Sequence, residues 1–92
     1  VNFEWDTKKA AANLRKHWVS FGEAIEVFDD PNLIENEDAS HSYDEARFIV
    51  IGYSARRLLL VVFTEPRWDV IRIVSARLPT PAERKMYERQ ER

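Results

Sequence analysis

The sequence predicts an α+β fold: a small, mainly antiparallel sheet, preceded by an N-terminal helical hairpin and followed by a C-terminal helix. Three observations carry that prediction. From Arg47 onward, three runs rich in β-branched and aromatic residues follow one another across short polar connections. Ahead of them, Ser20-Phe21-Gly22-Glu23 has the form of a capping box. It opens an apolar stripe of Phe21, Ala24, Ile25 and Phe28 at helical spacing. Behind them, Thr80-Pro81-Ala82-Glu83 repeats the capping signature with proline at the first helical position.

In chain order, Asn2-Phe3-Glu4-Trp5 alternates and reads as a short strand. Asp6 offers an oxygen acceptor just ahead of strong helix formers over 8–16, with Ala10, Leu14 and His17 or Trp18 on one face. A very short connection leads to the capped second helix, so the two form a hairpin. Asp29-Asp30-Pro31 ends that helix, because proline disfavours helical geometry in the residue before it. Residues 32–40 mix Leu33 and Ile34 with acids and fit a loop or a short edge strand. Residues 38–44 read as a polar loop that carries His41. The three strands lie over 48–53, 58–64 and 69–77, and short polar turns make them an antiparallel meander. The middle run is apolar on both faces, which predicts a central strand covered on each side. A charged helix from Pro81 to about Gln90 closes the order.

Composition narrows the function classes. The chain has 92 residues, 45% of them hydrophobic and 12% aromatic, which suits one domain over 1–92 and argues against disorder. With no cysteine there are no disulfides, thiolate metal sites or cysteine nucleophiles. The longest apolar run, Leu58 to Phe63, is far too short to span a membrane. No basic stretch followed by an apolar one opens the sequence, so a cytoplasmic location and no membrane partner are expected. The net charge of −2 hides an asymmetry. Residues 1–46 hold four Lys and Arg against eleven Asp and Glu, or −7, whereas residues 47–92 hold ten against five, or +5. An arginine-rich half hints at a surface for a polyanion, unless folding interleaves the two halves.

Candidate chemistry rests on a few side chains. His17 and His41 have no partner at metal-ligand spacing, and two glycines cannot build a phosphate loop, so neither metal nor cofactor is expected. Arg72 lies inside a strand. Strict alternation groups it with Val70, Val74 and Ala76 and turns Arg77 to the other face, unless a bulge near Ser75 intervenes. A guanidinium fork there would grip a phosphate and offset charge that develops during transfer; from residue type alone, an arginine snorkelling at a rim or paired with an acid is the more ordinary reading. On the last helix Glu83 and Arg84 each share a face with Tyr87. A tyrosine, a glutamate and arginines around a cleft can support RNA cleavage, in which a ribose 2′-hydroxyl attacks the adjacent phosphate. A solvated helix face is the alternative. Trp5, Trp18 and Trp68 offer faces for base stacking, although tryptophan in a small domain is usually core.

An ordered set of residues resembles a known family. It comprises Phe3-Glu4-Trp5-Asp6, Lys9, Asn13, Lys16-His17, Val19-Ser20-Phe21, Glu23-Ala24, Val27-Phe28, Asp30-Pro31 and His41-Ser42. Glu45 with Arg47, Ile51-Gly52, Ile71-Arg72-Ile73, Ser75-Ala76-Arg77, Glu83-Arg84 and Tyr87 continue it. Across essentially the whole chain this resembles the BrnT family, the toxins of type II toxin–antitoxin modules. The resemblance implies a RelE-like fold and a metal-independent endoribonuclease that inhibits translation. It also implies a cognate antitoxin of the BrnA type, in a 2:2 heterotetramer whose antitoxin part binds operator DNA. The family's recurrent polar set maps to Lys16, His17, His41, Glu45, Arg47, Arg72, Arg77, Glu83, Arg84 and Tyr87. By that resemblance, Arg72 and Arg77 bind phosphate and stabilise the transition state. Tyr87, Glu83 and His17 are candidates for proton transfer, and Lys16, Arg47, Arg84 and His41 for substrate binding. One departure is Trp18, where glycine usually follows Lys-His and would suit a positive-φ helix end. A non-catalytic partner-binding module, or a degenerate toxin acting only as co-repressor, is the alternative function.

Overall fold

In the computed structural model, which describes residues 1–38 and 45–90, the expected element order is present. It runs β1 (Asn2–Glu4), α1 (Thr7–His17), α2 (Phe21–Ala24), a 3₁₀ segment (Ile25–Asp29), β2 (Ile34–Glu37), β3 (Arg47–Tyr53), β4 (Leu58–Thr64), β5 (Val70–Arg77) and α3 (Pro81–Arg89). The five strands form one sheet in the order β1-β5-β4-β3-β2, antiparallel except for the parallel pairing of β1 with β5. Within the ambiguous segment after Pro31, Ile34–Glu37 form an edge strand, β2. The loop expected to carry His41 lies outside the described residues.

Local chemistry explains the helices. Asp6 accepts hydrogen bonds from the N–H groups of Lys8 and Lys9 and starts α1. Its inward face is Ala10, Asn13 and His17, and Leu14, expected there, is 48% exposed. Trp18 ends α1 in the left-handed region (φ 60°, ψ 29°), the conformation a glycine there would adopt freely. Ser20 caps α2 through the Glu23 N–H, but the expected reciprocal bond is absent. The Glu23 carboxylate is instead held by Arg57 and Ser54. The second helix is one α-turn continued as 3₁₀, which tightens the last carbonyls before Pro31.

The sheet separates two layers. Leu59, Val61 and Phe63 of β4 face the helical hairpin and pack with Val19, Phe21, Ala24, Val27, Val50, Ile73 and Ala76. Leu58, Leu60 and Val62 face the other way and meet Ile34, Ile49, Ile51 and Tyr87. β4 is therefore central and covered on both faces, as its composition predicts. Fully burying a side chain such as Phe63 contributes roughly 2–3 kcal/mol. On the hairpin side Gly52 admits the 3₁₀ segment, since a Cβ there would stand 3.2 Å from the Val27 carbonyl oxygen.

One irregularity sets the site. Val62 pairs with Ser75 but Phe63 pairs with Ile73, so Val74 is an extra, bulged residue in β5. Simple alternation is thereby overturned: Ile73 and Ala76 both face the hairpin. Arg72 pairs with Thr64 and Arg77 with Leu60, so Arg72, Ser75 and Arg77 share the opposite face, the one α3 lies against.

Candidate functional site

The α3 face carries two clusters. The first is built where α3 meets the sheet. Thr80 and Glu83 form the predicted capping box, and the Glu83 carboxylate also takes two hydrogen bonds from Arg77 (2.8 and 3.0 Å). The Arg77 guanidinium, with Thr80 assisting, holds the Glu83 carboxyl down to about pKa 2, and the Arg77 pKa is raised in turn. One turn on, Tyr87 packs its ring on Ile51, Leu58 and Leu60 and edge-on against Tyr53. Its hydroxyl donates to Asp30 at 2.6 Å, and the same carboxylate accepts the N–H groups of Tyr53 and Asn32. Burial opposes ionisation of Asp30, but these bonds outweigh it and lower its pKa. Asp30, Asn32, Tyr53, Tyr87, Glu88 and Gln90 line an open recess of about 420 Å³.

The second cluster lies at the far end of the same face. Parallel pairing sets Glu4 of β1 beside Arg72 of β5. Arg72 Nε donates to one oxygen of Glu4 and Arg67 Nη2 to the other, each at 2.7 Å. These two guanidinium groups, Arg72 first, lower the Glu4 pKa. Across the ladder, Thr64 stands opposite both Arg72 and Arg47. Thr64 is buried, and among the described residues its hydroxyl is without a hydrogen-bond partner.

The expected site residues are thus only partly gathered. Arg77, Glu83 and Tyr87 come together; Arg72 and Arg47 share one cross-strand row with Thr64 between them. Arg84 is exposed on α3, whose inward pair is Glu83 and Tyr87. Lys16 and His17 end α1, which belongs to the hairpin layer on the other side of the sheet. Glu45 is exposed just before β3, and His41 lies outside the described residues. Of the tryptophans, Trp5 packs on Phe21, whereas Trp18 and Trp68 are 77% and 90% exposed. Glu4, Asp30 and Arg67 were not expected as site residues. The alternation in residues 2–5 could have flagged Glu4 as facing away from Phe3, but nothing local announces its partner. Among the described residues, no group of three His, Asp or Glu is arranged to hold a metal, and no helix is long and apolar enough to cross a membrane.

Comparison with known proteins agrees with this architecture. Residues 5–83 match the family model described as the ribonuclease toxin, BrnT, of type II toxin–antitoxin systems. No curated protein sequence matches the chain. The fold is similar to the crystal structure of the Brucella abortus ribonuclease toxin, BrnT, with a TM-score of 0.65 at 19% identity. That likeness covers 87% of this chain and 99% of the other. Matched over most of its length by the family model, the chain belongs to the BrnT family, ribonuclease toxins that act opposite an antitoxin partner.

Proposed function

We propose that the α3 face holds single-stranded RNA and supports its cleavage by the ribose 2′-hydroxyl route, using only the chain's own side chains. The observation that carries this reading is the bulge at Val74, which turns Arg72 and Arg77 to one face. Their partners on β4, Thr64 and Leu60, are four residues apart, about 13 Å at ~3.3 Å per residue. At that spacing the two arginines suit separate phosphates of one strand. In the reaction the 2′-oxygen bonds to phosphorus and the bond to the 5′-oxygen breaks, leaving a cyclic phosphate and a 5′-hydroxyl. Arg77 offsets the charge that builds on the phosphorane-like state, while Arg72 and Arg47 hold the strand. Tyr87, with the Asp30 carboxylate behind its proton, is our candidate for proton transfer. Glu83, held near pKa 2, is a weak base and instead aims Arg77. Arg84 and His41 contact outlying parts of the RNA in this reading, whereas Lys16 and His17, on the hairpin side of the sheet, do not share the face that holds it.

Translation stops as message is lost, with RNA taken free or on the ribosome. The antitoxin is of the BrnA type, joins two toxins with two antitoxins, and brings the operator DNA contact. Expression of the chain alone in bacteria is expected to arrest growth and degrade RNA. Arg72→Ala with Arg77→Ala relieves both, while the protein stays folded and still binds antitoxin. Normal growth and intact RNA with folded wild-type protein would sink the reading. Cleavage-site mapping on defined RNA with and without ribosomes, and the mass of the toxin–antitoxin complex, test the finer assignments.

A further inference from the structure

We infer that Leu14, Trp18 and Leu78 form a docking surface for the antitoxin, and that the antitoxin segment seated there is acidic and carries apolar side chains. The inference rests on the toxin–antitoxin reading above and gives the partner a place on the chain. Two features of Trp18 are not explained by the fold. Its backbone is left-handed (φ 60°), a region that disfavours residues with a Cβ, and its ring is 77% exposed, so burial offsets nothing. The bond that ends α1 runs from the Trp18 N–H to the Leu14 carbonyl and needs no side chain. One turn back, Leu14 is 48% exposed, and Leu78, just past β5, is 51% exposed. The three stand at one end of the molecule, because α1 runs alongside β5 in the same direction. Asp6 and Lys9 border a recess with Arg72 and Val74, and Asn13 bonds to Ala76. The last turn of α1 therefore lies toward Leu78, two residues beyond Ala76. Arg57, just before β4, reaches the Trp18 carbonyl at 2.8 Å from that same end. Exposed apolar side chains gathered in this way mark a protein interface.

Charge complementarity selects the occupant. Arg15 and Lys16, in the last turn of α1, are exposed and have no acidic partner among the described residues. Arg56 and Arg57 add two cations from the β3–β4 turn. Two carboxylates reach that turn from α2 and the 3₁₀ segment. Glu23 pairs with Arg57 and more loosely with Arg56 (3.8 Å), and Glu26 accepts the Ala55 N–H. Asp29 lies further off, roughly 14 Å along the helix from Ser20 at 1.5 Å per residue. Arg77 and Glu83, next to Leu78, cancel each other. Four cations against two carboxylates leave the rim of the patch positive. Two copies of the chain would set these cations against each other, and a phosphodiester strand would leave Leu14 and Leu78 idle. An acidic amphipathic segment uses both features, with carboxylates on the rim and apolar side chains on the patch. The Arg77 guanidinium donates to the Leu78 carbonyl, so a segment anchored here ends beside one of the two arginines assigned to RNA.

The test is titration calorimetry of the full chain with the purified antitoxin from the adjoining reading frame. Trp18→Gly removes the ring and suits the left-handed backbone. It should keep or raise Tm while weakening antitoxin binding about ten-fold or more. If it lowers Tm, Trp18→Asn, which also tolerates this conformation, takes its place. Arg15→Glu with Arg56→Glu should weaken binding by a similar factor, most strongly at low salt. Trp18→Gly should leave unchanged the affinity for a short oligoribonucleotide carrying 2′-O-methyl groups, which the 2′-hydroxyl route cannot cleave. Antitoxin affinity equal to wild type in either variant overturns the inference. RNA affinity lost in Trp18→Gly with antitoxin binding intact also overturns it and assigns the ring to nucleic acid. A wild-type dimer that Trp18→Gly dissociates overturns it in favour of a second copy. If Trp18→Gly loses the antitoxin while the wild-type chain cleaves no RNA, the RNA-cleaving reading fails and this inference stands. A wild-type chain that cleaves RNA but binds no antitoxin removes this inference alone.

Discussion

Past Glu4 the strand β1 no longer flanks β5, and the side-chain amide of Asn13 takes over the bonding that a neighbouring strand would supply. Its Nδ2 donates to the carbonyls of Ala76 and Val19 (2.8 and 2.9 Å), and its Oδ1 accepts the Ala76 N–H at 3.1 Å. An amide mimics a peptide group here: it answers both the N–H and the C=O of one strand residue. Asn13 is also buried and ties the first helix to the strand that bears Arg72 and Arg77. Because truncation leaves buried backbone groups without partners, Asn13→Ala should destabilise the fold by about 2–4 kcal/mol. Urea denaturation followed by circular dichroism measures this, and a loss below half a kcal/mol would contradict it. Trp18 shows the same priority of backbone over side chain. It ends α1 at positive φ with its ring in solvent, and its carbonyl accepts a hydrogen bond from Arg57. The helix end needs the conformation, and this sequence reaches it without glycine.

Among the elements, α3 is attached differently from the rest, with no fully buried residue of its own. It docks through Tyr87 on the sheet, the Tyr87–Asp30 bond and the Arg77–Glu83 pair. The Glu83 pKa is lowered from 4.5 to about 2, so the folded state favours its ionised form. The sign follows: its contribution is fully present above about pH 4.5 and is lost as pH falls toward 2. Glu83→Gln should therefore flatten the acid limb of the stability profile between those values and leave stability independent of that carboxyl. An acid limb identical to wild type would show that the pair does not act in folding. Elements like α3, the meander and the central β4 were legible because their signals are local: a capping box, β-branched runs, an apolar middle strand. The bulge was open in the sequence as an alternative near Ser75 but could not be chosen there, since Val74 and Ser75 carry no composition that separates them from a regular strand. The parallel β1–β5 pairing, which joins residues nearly seventy apart, was not legible. The site was half legible for the same reason. Arg77, Glu83 and Tyr87 are near in sequence, but Asp30, Glu4 and Arg67 enter only through tertiary pairing.

For the molecule as a whole, folding interleaves the acidic and basic halves of the chain. Glu4 meets Arg67 and Arg72, and Glu23 meets Arg56 and Arg57, so first-half carboxylates neutralise second-half arginines. The +5 of residues 47–92 is therefore not a free cationic surface, and a polyanion must compete with carboxylates for the groups that bind it. Competition of this kind lowers affinity but keeps the arginines extended and correctly forked before the ligand arrives. The Glu4 carboxylate, held between two guanidinium groups on the α3 face, is the position where this competition is most direct. Glu4→Gln keeps the shape and removes the charge. It should raise affinity for single-stranded RNA several-fold at low salt, and steepen the log–log salt dependence by up to roughly 0.7 per extra phosphate contact. Fluorescence anisotropy with a labelled 2′-O-methyl oligoribonucleotide across a salt series reads both quantities at once. Weaker binding in the variant would mean that Glu4 acts chiefly to position Arg72, so the same measurement separates a competing carboxylate from a supporting one.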